Sequence, residues 1–389
     1  MRILHTSDWH LGKVLKGQSR MDEQIAVMRE LIEITEREAP DLVIVAGDLF
    51  ETSVPPARAL ELLTRTLSRM RKSGAQVIAV AGNHDSGASL HALRGWAEEA
   101  GVVLRGRIGS AKDHLITGTT ENGEAWRCAA LPFVSQRYAV RATEMFELTA
   151  AEADQSYADH VKRLIARLTE GFDGEAVNLV TAHLTVLGGK FGGSPLSEHG
   201  GGGEREAHSV ASYVLPPTIF PPTVHYVALG HLHRRQSVSG PCPIHYSGGP
   251  IAVDFGEEAN QPSVLIVDVT KSTPAKIRSV PITSAAKLRT IRGDLAGLRT
   301  VEADPDVWLR VYVKEKPRAG LREEVQEMFP RALEVRIDPT MVAKDSGKGP
   351  SQHAGRSPRE LFGDYLADIG HDDADVSALF DRLYDEASS

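Results

Sequence analysis

Five short polar clusters, each directly after an apolar run, carry residue types suited to metal chemistry: Asp8-Trp9-His10, Gly47-Asp48, Gly82-Asn83-His84-Asp85, Ala182-His183 and Gly230-His231-Leu232-His233. Two carboxylates, one amide oxygen and several imidazoles form a mixed nitrogen and oxygen donor set. That set suits Mn²⁺, Fe or Zn²⁺ and suits a thiolate-preferring ion poorly. The only cysteines, Cys128 and Cys242, lie outside every cluster. A pair of ions about 3.5–4 Å apart needs one donor that reaches both, and a carboxylate with two oxygens can do so. Asp48 is the candidate bridge. The glycines at 47, 82 and 230 let the backbone turn sharply and approach the site without a Cβ clash.

The runs before these clusters read as buried parallel strands: Arg2 to Ser7, Leu42 to Ala46, Gln76 to Ala81, Val177 to Thr181 and Val224 to Leu229. In open α/β sheets ligands collect beyond the carboxyl ends of the strands, so five strand-end clusters can converge on one site. Met21 to Glu38, with Ile25, Met28, Leu31 and Ile32 at helical spacing, reads as a crossover helix, and Ala57 to Lys72 repeats the device. Strands at Pro243 to Ser247 and Ser263 to Val269 fit the second sheet of a two-layer β-sandwich, with helices covering both outer faces. His5, inside the first strand, is expected to be a satisfied core histidine. His91, His114, His225 and His245 lack a strand-end glycine and are expected to be surface or structural, as are His199, His208, His353 and His371 in polar segments.

The motifs Ser7-Asp8-Trp9-His10-Leu11-Gly12, Ala46-Gly47-Asp48-Leu49-Phe50, Gly82-Asn83-His84-Asp85-Ser86 and Leu229-Gly230-His231-Leu232-His233 resemble those of the calcineurin-like metallophosphoesterases. Within them the likeness is to the SbcD nuclease subunits, in order and approximate spacing along the whole chain. The resemblance implies one divalent metal held by Asp8, His10, Asp48 and His233, and a second held by Asp48, Asn83, His183 and His231. Mn²⁺ is the expected ion, with Mg²⁺, Fe or Zn²⁺ open. His84 is left for catalysis, steadying the phosphoryl charge or protonating the departing oxygen, and Asp85 would orient its ring. In such sites two ions provide a nucleophile from water near neutral pH and stabilise the entering and leaving oxygens. SbcD proteins often carry Asp, and archaeal relatives a second active-site His, where this chain has Glu51. Glu51 is expected to be a solvated loop acid.

At 389 residues the chain is long enough for two or three domains. Its net charge of −8 gives no bulk electrostatic support for a nucleic-acid partner, so DNA binding would rest on a local basic surface and on divalent cations. Two separated cysteines fit a reducing, cytoplasmic setting. The chain enters a strand at once without an apolar signal segment, and no run approaches the roughly 20 residues that span a bilayer, so no membrane association is expected.

Between His183 and His231 lies Gly188-Gly189-Lys190-Phe191-Gly192-Gly193-Ser194-Pro195, followed by glycines 200 to 203. This stretch reads as a tolerated surface insertion or as a loop contacting DNA, with Lys190 and Arg205 the possible phosphate contacts.

The phosphoesterase domain is expected over residues 1–280 and a small α/β unit over 285–341, with strands at Lys287 to Arg292, Val307 to Val313 and Ala332 to Ile337 and a helix at Leu321 to Phe329. By resemblance this unit is a cap guiding DNA; on sequence alone it could equally be a packing domain. Residues 342–356 form a polar linker, and 357–386 two short amphipathic helices. Their apolar faces, Leu361/Phe362/Tyr365 and Leu379/Phe380/Leu383, must cover themselves on another surface. The resemblance names the coiled coil of an SbcC-type ATPase; docking back onto this chain is the alternative. It also implies a homodimer within a heterotetramer, with Ser86 to Ala100 a candidate dimer segment.

The function expected on these grounds is a Mn²⁺-dependent DNA nuclease, exonuclease on double-strand ends and endonuclease on single strands and hairpins, in DNA repair and recombination. The alternatives are a phosphodiesterase for small phosphoesters and a non-catalytic DNA-end tethering scaffold.

Overall fold

Side-chain alternation within Leu42–Ala46 sets the architecture. Leu42, Ile44 and Ala46 point one way and cluster with Trp126, Cys128, Leu179 and Ala228, whereas Val43 and Val45 point the other way onto Leu31, Leu63 and Leu67. A strand buried on both faces is sandwiched between a second sheet and a helical layer. The computed structural model describes residues 1–135, 150–190, 214–302 and 304–342, with Phe362, Gly363, Leu366, Val376, residues 378–382 and Tyr384 of the tail.

Two six-stranded sheets face each other. The first runs in the order Thr273–Pro281, Ser263–Thr270, Arg2–Thr6, Leu42–Ala46, Gln76–Val80 and Val102–Arg105. The second runs Gln236–Val238, Ile244–Tyr246, Tyr226–Gly230, Val177–His183, Ala125–Leu131 and Leu115–Thr119. The three motif strands of the first sheet are parallel, as are the two of the second. Helices Met21–Glu38 and Ala57–Lys72 cover the first sheet. Asp22 and Glu23 in the first turn of Met21–Glu38, and Arg37 in its last, oppose the helix dipole favourably. Helix Ala150–Thr169 covers the second sheet through Tyr157, Val161 and Ile165.

One strand departs from the sequence expectation. Ser263–Thr270 belongs to the first sheet, antiparallel to Arg2–Thr6, and not to the second. Its apolar pattern fits either sheet; the open edge of the N-terminal strand determines where it pairs.

Residues 287–337 build a parallel three-stranded sheet, Lys287–Gly293, Val307–Val313 and Ala332–Ile337, with helix Leu321–Met328. One face packs on Val325 and Phe329, and the other presents Leu288, Trp308 and Leu333 to Leu15, Ala252 and Phe255 of the large domain. In the tail, the Phe362 and Phe380 rings stack at 4.0 Å. Leu366 is buried and Leu379 exposed, whereas Leu361, Tyr365 and Leu383 lie outside the described residues, as does nearly all of the expected linker. Among the described residues no helix is long and apolar enough to cross a membrane.

Candidate metal centre

The parallel strands deliver their end residues to one point. Asp8 and Asp48 follow Thr6 and Ala46 by two residues, Asn83 follows Val80 by three, His183 ends its strand, and His231 follows directly on Gly230. Backbone hydrogen bonds from Asp8 N to Gly47 O and from His10 N to Asp48 O lace the first two loops together. His5 ties the sheets beneath the site, with its ring nitrogens 2.9 Å from the Tyr226 hydroxyl and 3.1 Å from the Leu229 carbonyl. Asp8, His10, Asp48 and His231 all take positive φ, a region that side chains other than glycine rarely occupy. Such strain persists where surrounding structure imposes it and clusters at functional sites. Gly47 must remain glycine, since a Cβ would stand 2.2 Å from His183 Nδ1.

Besides a group of His10, Glu51 and His84, two constellations share Asp48. In one, donor atoms of Asp8, His10, Asp48 and His233 lie within 4.8 Å of one another; in the other, those of Asp48, His183 and His231 do. Asp48 belongs to both, its Oδ2 lying 3.7 Å from His10 Nε2 and 3.3 Å from His183 Nε2. Its other oxygen accepts the His84 backbone N–H at 2.9 Å.

The donor chemistry fits a cation at each point. His10 Nε2 and His233 Nε2 stand 3.1 Å apart, while Nδ1 of His10 faces Glu51 Oε2 at 3.0 Å and Nδ1 of His233 faces Glu257 Oε1 at 2.6 Å. A carboxylate only accepts, so Nδ1 of His233 carries the hydrogen and its Nε2 lone pair faces the His10 ring, whose Nδ1 lies in ion-pair contact with Glu51 without a hydrogen bond. His183 repeats the pattern. Its Nδ1 donates to the Ala46 carbonyl at 2.9 Å, which turns the Nε2 lone pair toward Asn83 Oδ1 at 3.0 Å and Asp48 Oδ2. Asn83 Oδ1 is also 2.8 Å from His231 Nδ1. Converging acceptors repel unless a cation or proton sits among them.

The proton affinities express the same crowding. Burial lowers that of His183, but Asp48 and Asp8 more than offset it and raise its pKa to about 9. Burial likewise opposes protonation of His233, and Glu257, Asp8 and Asp48 override it, raising the value to about 10. For Asp48, burial is outweighed by His183, His10 and His84, which hold it well below the usual carboxylate range.

A calcineurin-like phosphoesterase family model matches residues 1–235, and a second model, described as the type 5 capsule protein repressor C-terminal domain, matches residues 284–369. The SbcD subunit of the SbcCD nuclease of Bacillus subtilis is 32% identical over 349 residues, 86% of this chain and 85% of that protein. The chain belongs to the SbcD family of calcineurin-like phosphoesterases. The corresponding subunit of Rhodobacter capsulatus is 32% identical over 82% of this chain and 78% of its own length, and that of Escherichia coli K12 is 27% identical over 80% and 78%.

Against this family frame, two expectations need correcting. Asp85 does not orient His84. Its oxygens accept the backbone N–H groups of Leu49, Phe50 and Gly82 at 2.8–3.1 Å, bracing the loop that carries Asp48, while His84 Nδ1 is held by the Glu51 carbonyl at 2.9 Å. Burial and the Asp48 charge raise the Asp85 pKa to about 6 despite those three bonds. Nor is Glu51 a solvated loop acid. It lies between His10 Nδ1 and Lys13 Nζ, 2.7 Å away, and although burial raises its pKa, these partners lower it to about 2.

His84 packs edge-on against His10 with ring centroids 4.8 Å apart. Lys190 is exposed, held through its backbone by Gln236, and Arg205 lies outside the described residues. Glu257 escaped sequence reasoning because it follows no strand-end glycine and sits in a short 3₁₀ turn, Phe255–Glu257, 24 residues after His233.

Proposed function

We propose that the chain is the nuclease subunit of an SbcCD-type assembly, a Mn²⁺-dependent hydrolase of DNA phosphodiester bonds acting on double-strand ends, single strands and hairpins in DNA repair. The observation that carries the reading is the pair of acceptor-only constellations sharing Asp48. Asp8, His10, Asp48 and His233 would hold one ion, and Asp48, Asn83, His183 and His231 the other. When bound, the ions supply a nucleophile from water near neutral pH and neutralise charge on the phosphoryl oxygens. Glu51 O holds the Nδ1–H of His84, so that in the imidazolium form Nε2–H would donate to the phosphoryl group or deliver its proton to the departing sugar oxygen. Asp85 keeps the Asp48 loop in place through three amides.

The domains proposed are the phosphoesterase unit 1–280, the cap 285–341, a linker 342–356 and the partner-binding tail 357–386. Arg292 stacked 4.2 Å over Tyr312 supports a DNA role for the cap, since cationic and aromatic groups together grip nucleic acid. The partner is an SbcC-type coiled-coil ATPase, and the assembly contains two copies of this chain. Free, buried Cys128 and Cys242 suit the reducing cytoplasm.

The test is cleavage by the purified chain, with Mn²⁺ and with chelator, of linear duplex DNA and of a chromogenic phosphodiester. Mn²⁺-dependent cleavage of both supports the reading. Cleavage of the small ester with none of DNA, alone or with the ATPase, contradicts it.

A further inference from the structure

The two constellations are built alike in donors but not in what stands behind them. Behind His233, Glu257 spends Oε1 on Nδ1 at 2.6 Å and Oε2 on the Val253 backbone N–H at 2.9 Å, so the carboxylate is fixed at both oxygens. Behind His10, Glu51 is held by Lys13 Nζ at 2.7 Å, and its Oε2 lies 3.0 Å from His10 Nδ1 as an ion-pair contact without a hydrogen bond. Behind His183 stands only the neutral carbonyl of Ala46. Among the described residues no carboxylate other than the shared Asp48 lies within ion-pair distance of a ring nitrogen of His183 or His231.

We infer that Glu257, which fixes His233 as an Nε2 ligand, and Glu51, whose charge lies against His10, are positioning residues that make the position shared with Asp8 and Asp48 the tighter of the two cation sites. This rests on the two-metal reading above. A carboxylate behind a ligating imidazole fixes its tautomer and orientation and raises its basicity, and loss of such a partner typically costs about 10–100-fold in metal affinity. Net charge points the same way. The first position collects two ligating carboxylates and two supporting ones, one of them balanced by Lys13, whereas the second has the shared Asp48 and the neutral Asn83.

Glu257, and the Lys13 that holds Glu51, ride on segments seated against the small domain. Phe255, two residues before Glu257, is fully buried beside Leu288, and Thr290 donates to Glu258 at 2.6 Å. Lys13 opens the hairpin whose Leu15 enters the same cluster and whose Lys16 lies 3.7 Å from Glu334. The small domain thus buttresses the tighter site through the Glu257 turn and the Lys13 hairpin.

Titrating the full-length chain with Mn²⁺, following the free ion by electron paramagnetic resonance, tests this directly. The wild type is expected to show two classes of site. Glu257→Gln and Glu51→Gln, near-isosteric, should each weaken the tight class by about 10–100-fold and leave the weak class within about threefold. Asn83→Ala should remove only the weak class. With one equivalent of Co²⁺ as probe, the ligand-field absorption should shift in Glu257→Gln and stay unchanged in Asn83→Ala, a selectivity that general loosening of the fold would not produce. Unchanged affinity of the tight class in both Gln variants, or loss of the weak class in them, overturns the inference while leaving the two-metal reading intact. A wild type that binds no Mn²⁺ overturns that reading and this one together.

Discussion

Gly230 lies so close to Ala46 that a Cβ at 230 would stand 1.9 Å from the Ala46 carbonyl oxygen. That oxygen also accepts the Nδ1–H of His183, so one backbone atom sets the spacing of the two sheets and the orientation of a ligand candidate. Gly230→Ala should therefore destabilise the chain by about 1–3 kcal/mol, the usual cost of overpacking, and weaken metal binding as His183 shifts. Urea unfolding of the metal-free protein together with a Mn²⁺ titration checks both effects. Wild-type values for both would show that the contact is relieved without consequence.

His84→Gln should retain both ions and lose about 10²–10⁴-fold in turnover, because the ring is placed beside His10 without belonging to either constellation that shares Asp48. Metal analysis and single-turnover cleavage check this. A variant that cleaves at the wild-type rate has no such residue at 84, and one that loses an ion makes His84 a ligand.

Most of the centre was legible because each donor follows an apolar strand, and the chain must turn where the strand ends. The structure brings Asp8, His10, Asp48 and His233 together, and Asp48, His183 and His231 with Asn83 beside the two histidines. Glu257 was not legible, since its role depends on a turn from elsewhere in the chain reaching the back of His233. Asp85 was misread for a related reason: adjacency to His84 suggests a side-chain pair, but successive side chains diverge and the Leu49, Phe50 and Gly82 amides were closer partners. The sheet assignment of Ser263–Thr270 failed because an alternating apolar pattern specifies which face is buried and not which neighbour is paired.

His5 gives the fold a defined acid weakness. It is fully buried between the sheets, and burial, aided by His245, lowers its pKa from 6.5 to about 3 despite its bond to the Leu229 carbonyl. Because the folded value lies below the unfolded one, its contribution is complete above pH 6.5 and is lost as pH falls toward about 3. Each pH unit in that window costs about 1.4 kcal/mol. Between pH 7.5 and 4.5 the wild type should lose about 3 kcal/mol more than His5→Gln in urea unfolding. Equal losses would mean that His5 titrates normally in the folded chain.

The Phe362 and Phe380 rings of the tail stack with centroids 4.0 Å apart. Burying such a side chain is worth roughly 1.5–3 kcal/mol, so changing both to Asp should disrupt the pair and abolish capture of the coiled-coil ATPase. Mn²⁺-dependent cleavage of a small phosphodiester should survive, because no described tail residue belongs to the metal-holding groups. Undiminished capture places the partner elsewhere, and unfolding of the whole chain makes the tail part of its own core.

The central claim, two ions sharing Asp48, is tested most directly by the electron paramagnetic resonance spectrum of the chain loaded with two equivalents of Mn²⁺. An exchange-coupled dinuclear spectrum that disappears in Asp48→Ala, with metal content falling by more than one ion, is the predicted result. Two uncoupled mononuclear signals in the wild type, or two tightly bound ions retained by Asp48→Ala, would contradict it.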